Sequence, residues 1–155
     1  MALEGTKAPG FKLMGSDGKK HSLADYAGKT VVIYFYPRDN TPGCTKEACG
    51  FRDLKPHLDS SGVVLLGVSK DSLKSHDKFI ADFKLPFTLL SDPDAAMMTA
   101  YGAFGEKVMY GKKSTGTIRS TVVIDPAGTI VKQWSKVAKA EIHPAEVLAW
   151  LQNRT

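Results

Sequence analysis

Thr30-Val31-Val32-Ile33-Tyr34-Phe35-Tyr36, running straight into Pro37-Arg38-Asp39-Asn40-Thr41-Pro42-Gly43-Cys44, decides how this chain folds. The first segment is β-branched and aromatic throughout, with no polar alternation. A strand with one wet face alternates, so a continuous run of this kind suits a central strand covered on both faces. Pro37 ends the run, because proline has no N–H to give to a sheet ladder. Arg38–Asn40 continues as a loop. Thr41-Pro42 then reads as a helix start, with Thr41 as N-cap and Pro42 at the first helical position. Ala48, Phe51, Leu54 and Leu58 follow at helical apolar spacing. Pro56 is expected to kink this helix or to open a new turn.

The pattern repeats downstream. Val63–Ser69 reads as a second buried strand, and Leu73, His76, Phe79, Ile80 and Phe83 give the next helix one inward face. Phe87–Leu90 is short and strand-like. Asp92-Pro93 repeats the cap-plus-proline start and predicts a helix through about Tyr101. Thr117–Ile124 reads as one strand, Asp125-Pro126-Ala127-Gly128 as a tight turn, and Thr129–Trp134 as the return strand. Pro144–Leu151 closes the chain as a helix, with Val147, Leu148 and Leu151 inward. Upstream, Phe11–Met14 and Lys20–Leu23 flank Gly15-Ser16-Asp17-Gly18 and read as a β-hairpin. Strands alternating with helices predict an α/β fold. The central sheet is mixed, with parallel crossovers first and an antiparallel hairpin later, and helices lie on both faces. This is compatible with a thioredoxin-like fold. The length of 155 residues favours a single domain, 1–155, that needs no disulfide staple.

Composition narrows the function. Hydrophobic residues are 43% and charged residues 24%, as in soluble globular domains. Met1-Ala-Leu-Glu-Gly-Thr-Lys has no basic-then-apolar secretory pattern, and no apolar run approaches the roughly 18 residues that span a bilayer. A cytoplasmic protein without a membrane partner is expected. The net charge is +5, but the lysines are scattered and their densest cluster is only Lys112-Lys113. That reads as a solvated surface, not a nucleic-acid site.

The cysteines carry the chemistry. If Thr41 caps the helix, Cys44 stands in the first turn, where the amide N–H groups are unused and the helix dipole is positive. Both favour thiolate over thiol, and the thiolate is the nucleophile. The loop before it opens a crevice at the carboxyl end of a strand, where sites in α/β sheets usually lie. Cys49 follows five residues later. In a regular helix that is a rise of about 7.5 Å and a rotation of about 140°, whereas a disulfide needs Cα atoms within about 7 Å. The two sulfurs can therefore bond only if the helix unwinds locally. Gly50 would ease that unwinding. Cys49 read as a core contact beside Ala48 and Phe51 is the plainer alternative. Zinc is the rival use of paired cysteines, but His21, His57, His76 and His143 are widely separated and complete no ligand set. Each reads better as a surface or satisfied core histidine. There is no Cys-x-x-Cys, which weighs against an ordinary disulfide exchanger. A redox-sensing interaction protein could use the same helix switch.

The run Pro37–Cys44 fits the Pro-x-x-x-Thr/Ser-x-x-Cys signature and resembles the peroxiredoxins. Tyr34–Asp53, YFYPRDNTPGCTKEACGFRD, together with Phe87–Asp92 and Ile118–Asp125, is similar to the subgroup of bacterioferritin comigratory protein, or peroxiredoxin Q. The resemblance runs in order over nearly the whole chain. It implies a thioredoxin-like fold and reduction of hydrogen peroxide and organic hydroperoxides without a cofactor. It implies Cys44 as the peroxidatic cysteine and Cys49 as the resolving one. Thr41 would hydrogen-bond the thiolate and the peroxide. Pro37 would shield the thiolate, Arg119 would stabilise it, and Glu47 would orient Arg119. The Gly43 and Cys44 amides could donate to the same peroxide oxygens. The implied reductant is thioredoxin, with glutaredoxin as a second candidate, and the implied state is a monomer.

Overall fold

The computed structural model describes residues 2–154. Strands β1 (Lys12–Met14) and β2 (Lys20–Ser22) form the expected N-terminal hairpin, and a 3-10 turn follows at Leu23–Tyr26. Strand β3 (Thr30–Phe35), helix α1 (Pro42–Ser60), strand β4 (Val63–Ser69), helix α2 (Leu73–Phe83) and strand β5 (Thr88–Ser91) then alternate. The rest comprises helix α3 (Ala96–Ala100), strands β6 (Phe104–Met109), β7 (Lys112–Thr117), β8 (Ser120–Ile124) and β9 (Ile130–Trp134), and helix α4 (His143–Gln152).

The main sheet has the order β5-β4-β3-β8-β9. β3 pairs parallel with β4 and antiparallel with β8, so it is central. Its residues split by parity, as successive side chains of a strand must. Val31, Ile33 and Phe35 face a core shared with α3 and the N-terminal segment. Val32 and Tyr34, with Tyr36 just past the strand's end, face a core shared with α1, α2 and α4. Both faces are dry, which is why the run never alternates.

Three expectations change. The helix expected from Asp92-Pro93 begins only at Ala96, because Ala95 takes a left-handed φ of +56° that interrupts helical backbone. The Asp92 carboxylate still serves the helix start, accepting from the Met98 amide at 2.9 Å. The single strand expected over Thr117–Ile124 is divided. Ile118 and Arg119 leave the ladder, since the Ile118 amide bonds the Ala103 carbonyl and the Arg119 carbonyl accepts from the Val137 amide. Before the break, β6 and β7 pair as a hairpin that the sequence reading left without elements. Its signal was Tyr110-Gly111, a two-residue loop with φ of +53° and +76°, the geometry of a hairpin turn. Finally, α1 runs through Pro56 to Ser60 in one piece; Pro56 is exposed and forfeits one internal bond without ending the helix.

Candidate active site

The site forms where β3 hands over to α1. Tyr36 makes the last sheet-like bond of the strand, its amide donating to the Val68 carbonyl. The loop then turns on Asn40 at φ +60°, a conformation asparagine tolerates. Asp39 pins that loop. Its Oδ1 accepts from the Tyr36 hydroxyl at 2.6 Å, and its Oδ2 accepts from the Ser75 hydroxyl at 2.8 Å and faces His76 Nδ1 at 2.7 Å. His76 Nε2 in turn donates to the Leu90 carbonyl at 2.9 Å. Asp71 accepts from the Asp39 amide and the Ser69 hydroxyl. Asp39, Asp71 and His76 thus lie close enough to suggest a metal cluster, but both carboxylate oxygens of Asp39, both ring nitrogens of His76 and Oδ2 of Asp71 are engaged in hydrogen bonds that tie the loop to α2 and β5. Sequence reading missed this anchor. Its trace was a histidine on the apolar face of α2 and an aspartate in the loop of a buried strand.

Thr41 takes the N-cap position, with extended backbone, and its carbonyl receives the first helical bond from the Thr45 amide. Its side chain does not cap. The hydroxyl donates back to the Arg38 carbonyl at 2.8 Å, so here it is bonded to neither the first-turn amides nor the sulfur. The Gly43 and Cys44 amides precede the first helical bond and have no place in the helix ladder. Pro37 is half-buried at the loop's start.

Cys44 is a free cysteine, 1% exposed, beneath that helix end. Arg119 reaches it from the break between β7 and β8. Nη2 donates to Cys44 Sγ at 3.2 Å, and Nη1 donates to Glu47 Oε1 at 2.7 Å. One guanidinium therefore bridges two groups a turn apart on α1. Gly43 makes room for it: a Cβ there would stand 3.2 Å from Nη2. Burial works against the charge on Arg119, but the facing Glu47 and Cys44 outweigh it and hold the guanidinium above its ordinary value. Glu47 is fully buried, and burial pushes its carboxyl up to about 7 against the opposing pull of Arg119. Tyr34, unnoticed in the sequence as a site residue, lies below. Burial first, and the charge of Glu47 second, raise its hydroxyl well above the usual phenol range.

Cys49 lies half-buried and free on the same unbroken helix. The arrangement thus brings together Cys44, Gly43, Glu47 and Arg119, sets Pro37 and Thr41 in the adjoining loop, and leaves Cys49 apart. A cavity of about 370 Å³ among Leu23, Tyr26, Val31, Ile124 and Pro126 belongs to the other end of β3. No helix among the described residues is long and apolar enough to cross a membrane.

Comparison with known proteins identifies the family. The chain matches the AhpC/TSA family over residues 5–133. A Coxiella burnetii protein carrying the name peroxiredoxin bcp is 51% identical over 152 residues, 97% of this chain and 100% of that one. Peroxiredoxin Bcp of Bacillus subtilis is 44% identical over 149 residues, 96% of this chain and 94% of that one. The solved structure of the Xanthomonas campestris bacterioferritin comigratory protein, studied for its alkyl peroxide reduction activity, superposes with a TM-score of 0.86 at 45% identity, covering 92% of this chain and 90% of that chain. The shared fold is thioredoxin-like. The chain belongs to the AhpC/TSA family, among the peroxiredoxins of the bacterioferritin comigratory protein and peroxiredoxin Q type.

Proposed function

We propose that this chain is a thiol peroxidase that reduces hydrogen peroxide and organic hydroperoxides through Cys44. The observation that carries the reading is the Arg119 guanidinium, 3.2 Å from a buried sulfur in the first turn of a helix. A fixed cation and free amides meet where negative charge sits in the thiolate and develops on the peroxide. The thiolate attacks the outer peroxide oxygen, an S–O bond forms and the O–O bond breaks. The departing oxygen leaves with the electron pair and is protonated to water or alcohol, and Cys44 becomes a sulfenic acid. Arg119 and the Gly43 and Cys44 amides hold the peroxide oxygens in line, which supplies most of the catalysis through positioning. Thr41 gives up its bond to the Arg38 carbonyl to join them, and Pro37 walls off water.

The Cys49 thiol then condenses with the sulfenic acid, releasing water and forming the Cys44–Cys49 disulfide after α1 unwinds. An external protein dithiol, thioredoxin or glutaredoxin, reduces it by exchange and becomes a disulfide itself. The protein acts as a monomer in the cytoplasm. The test is peroxide-dependent NADPH oxidation with thioredoxin and its reductase. Cys44→Ser is expected to abolish it, and Cys49→Ser to consume peroxide stoichiometrically and then stall. Undiminished turnover by either variant would overturn the corresponding assignment.

A further inference from the structure

Cys44, Arg119 and Glu47 contain one cation and two groups that can each be anionic. The sulfur is 1% exposed and the carboxylate 0%. If both were ionised, one negative charge would be left uncompensated in a site closed to water, which is the costly arrangement. One proton must therefore reside on one of them. We propose that Glu47 stores the proton that Cys44 gives up, so that thiolate formation is an internal transfer from sulfur to carboxylate across Arg119, and that this proton is afterwards spent on the oxygen leaving the peroxide. The inference rests on the thiol peroxidase reading and deepens it.

Three features favour the proton on Glu47. Its Oε1 is taken by Nη1 of Arg119, while Oε2 is buried with no hydrogen-bond partner among the described residues. An ionised oxygen is expensive there, whereas a carboxylic O–H is much less so. Cys44 stands in the first turn, beside the free amides, and Glu47 stands one turn deeper, so the helix end favours the anion on sulfur. The Tyr34 hydroxyl is likewise buried without a partner among the described residues, and after burial the charge of Glu47 acts on it most strongly. An unbonded hydroxyl beside an ionised carboxylate would be an unused donor. Beside a protonated carboxyl it is an ordinary neutral neighbour.

The groups facing the pair come from every packed element: Cys44 on α1, Arg119 from the strand break, and Tyr34 from β3. Behind them stand Asp39 from the loop, which acts on Tyr34, and His143 from α4. Burial lowers the pKa of His143 below its ordinary value against the opposing pull of Glu146, and the Arg119 charge adds to the lowering. The exchange is balanced: thiol plus carboxylate becomes thiolate plus carboxylic acid. When the sulfur then bonds oxygen, its charge leaves with the departing alkoxide or hydroxide. Glu47 returns to carboxylate beside Arg119 as that oxygen gains a proton, and no outside acid is consumed.

Glu47→Gln keeps an acceptor for Nη1 and the same volume but stores no proton. Near neutral pH the reduced parent should show thiolate absorbance and a buried carboxylic C=O band together, and the variant the thiolate absorbance without that band. The oxidation rate with an alkyl hydroperoxide, whose alkoxide is a poor leaving group, should fall about a hundredfold in the variant and lose its pH-dependent limb near neutrality. Infrared difference spectra of the parent offer a reading free of any variant. Oxidising Cys44 with one equivalent of hydrogen peroxide should erase a buried carboxylic C=O band. A parent without such a band, or a variant with the parent's pH profile of oxidation, would overturn the inference. Failure of the parent to react with peroxide would instead overturn the thiol peroxidase reading and leave the carboxylic band beside the thiolate absorbance to judge this one.

Discussion

Arg119 reaches Cys44 because it is outside a strand. Had Thr117–Ile124 remained one ladder, its side chain would be held to the sheet's alternation. Release of Ile118 and Arg119 lets the guanidinium bridge Cys44 and Glu47 across 75 and 72 residues of sequence, respectively. Arg119→Ala removes the charge and the donor together. Stopped-flow oxidation of Cys44 by hydrogen peroxide should slow about 10²- to 10³-fold, the usual cost of a lost oxyanion donor, and the thiolate absorbance at neutral pH should fall. A variant that reacts at the parent rate would remove Arg119 from the chemistry. The arginine was identifiable in the sequence only through a motif resemblance, since nothing in its own neighbourhood marks it. Tyr34 was not identifiable at all, because an aromatic in a buried run reads as core whether or not its hydroxyl faces a site.

At the scale of the element, α1 carries both cysteines and is closed from above by α4. A Cβ on Gly50 would stand 2.8 Å from Pro144 Cγ, at the start of α4. This glycine therefore allows two helices to approach closely, beyond any loosening of the helix it provides. The proline ring cannot swing aside as a long side chain would. Gly50→Ala should thus destabilise the fold by about 1–3 kcal/mol through overpacking, larger than the gain of about 1 kcal/mol from better helix propensity. Urea unfolding would show this as a lowered midpoint; a raised midpoint would mean that the helices are free to separate. The same packing bears on the cysteines, since the clamp sits one residue beyond Cys49. The unwinding that the proposed disulfide requires is therefore expected in the turns before Gly50.

For the whole molecule, the buried site couples protonation to stability. The Glu47 carboxyl has an ordinary value of 4.5 and is pushed to about 7 in the fold. The folded state thus holds this proton more tightly than the unfolded chain does. Its contribution is complete below the unfolded value and is lost as pH rises through the folded one. Relative to Glu47→Gln, which does not titrate, the parent should lose unfolding free energy between about pH 5 and about pH 8. Urea titrations of both proteins at the two pH values measure the difference directly. A difference that stays constant with pH would mean that Glu47 is ionised throughout.

Strand β3, its burial on both faces, the helix start at Thr41-Pro42 and the placing of Cys44 in the first turn followed from the chain alone. They depend on periodicity and local backbone chemistry, which reach only a few residues. Even the need to unwind α1 before the cysteines can join is a consequence of helical spacing. The partners of Cys44 were decided in three dimensions. A strand break far downstream delivers Arg119, a loop anchored by Asp39 and His76 sets the angle of the helix end, and the closing of both sheet faces buries Glu47. The charge state of that carboxyl depends on how much water the finished fold excludes, and no local pattern of residues encodes that quantity.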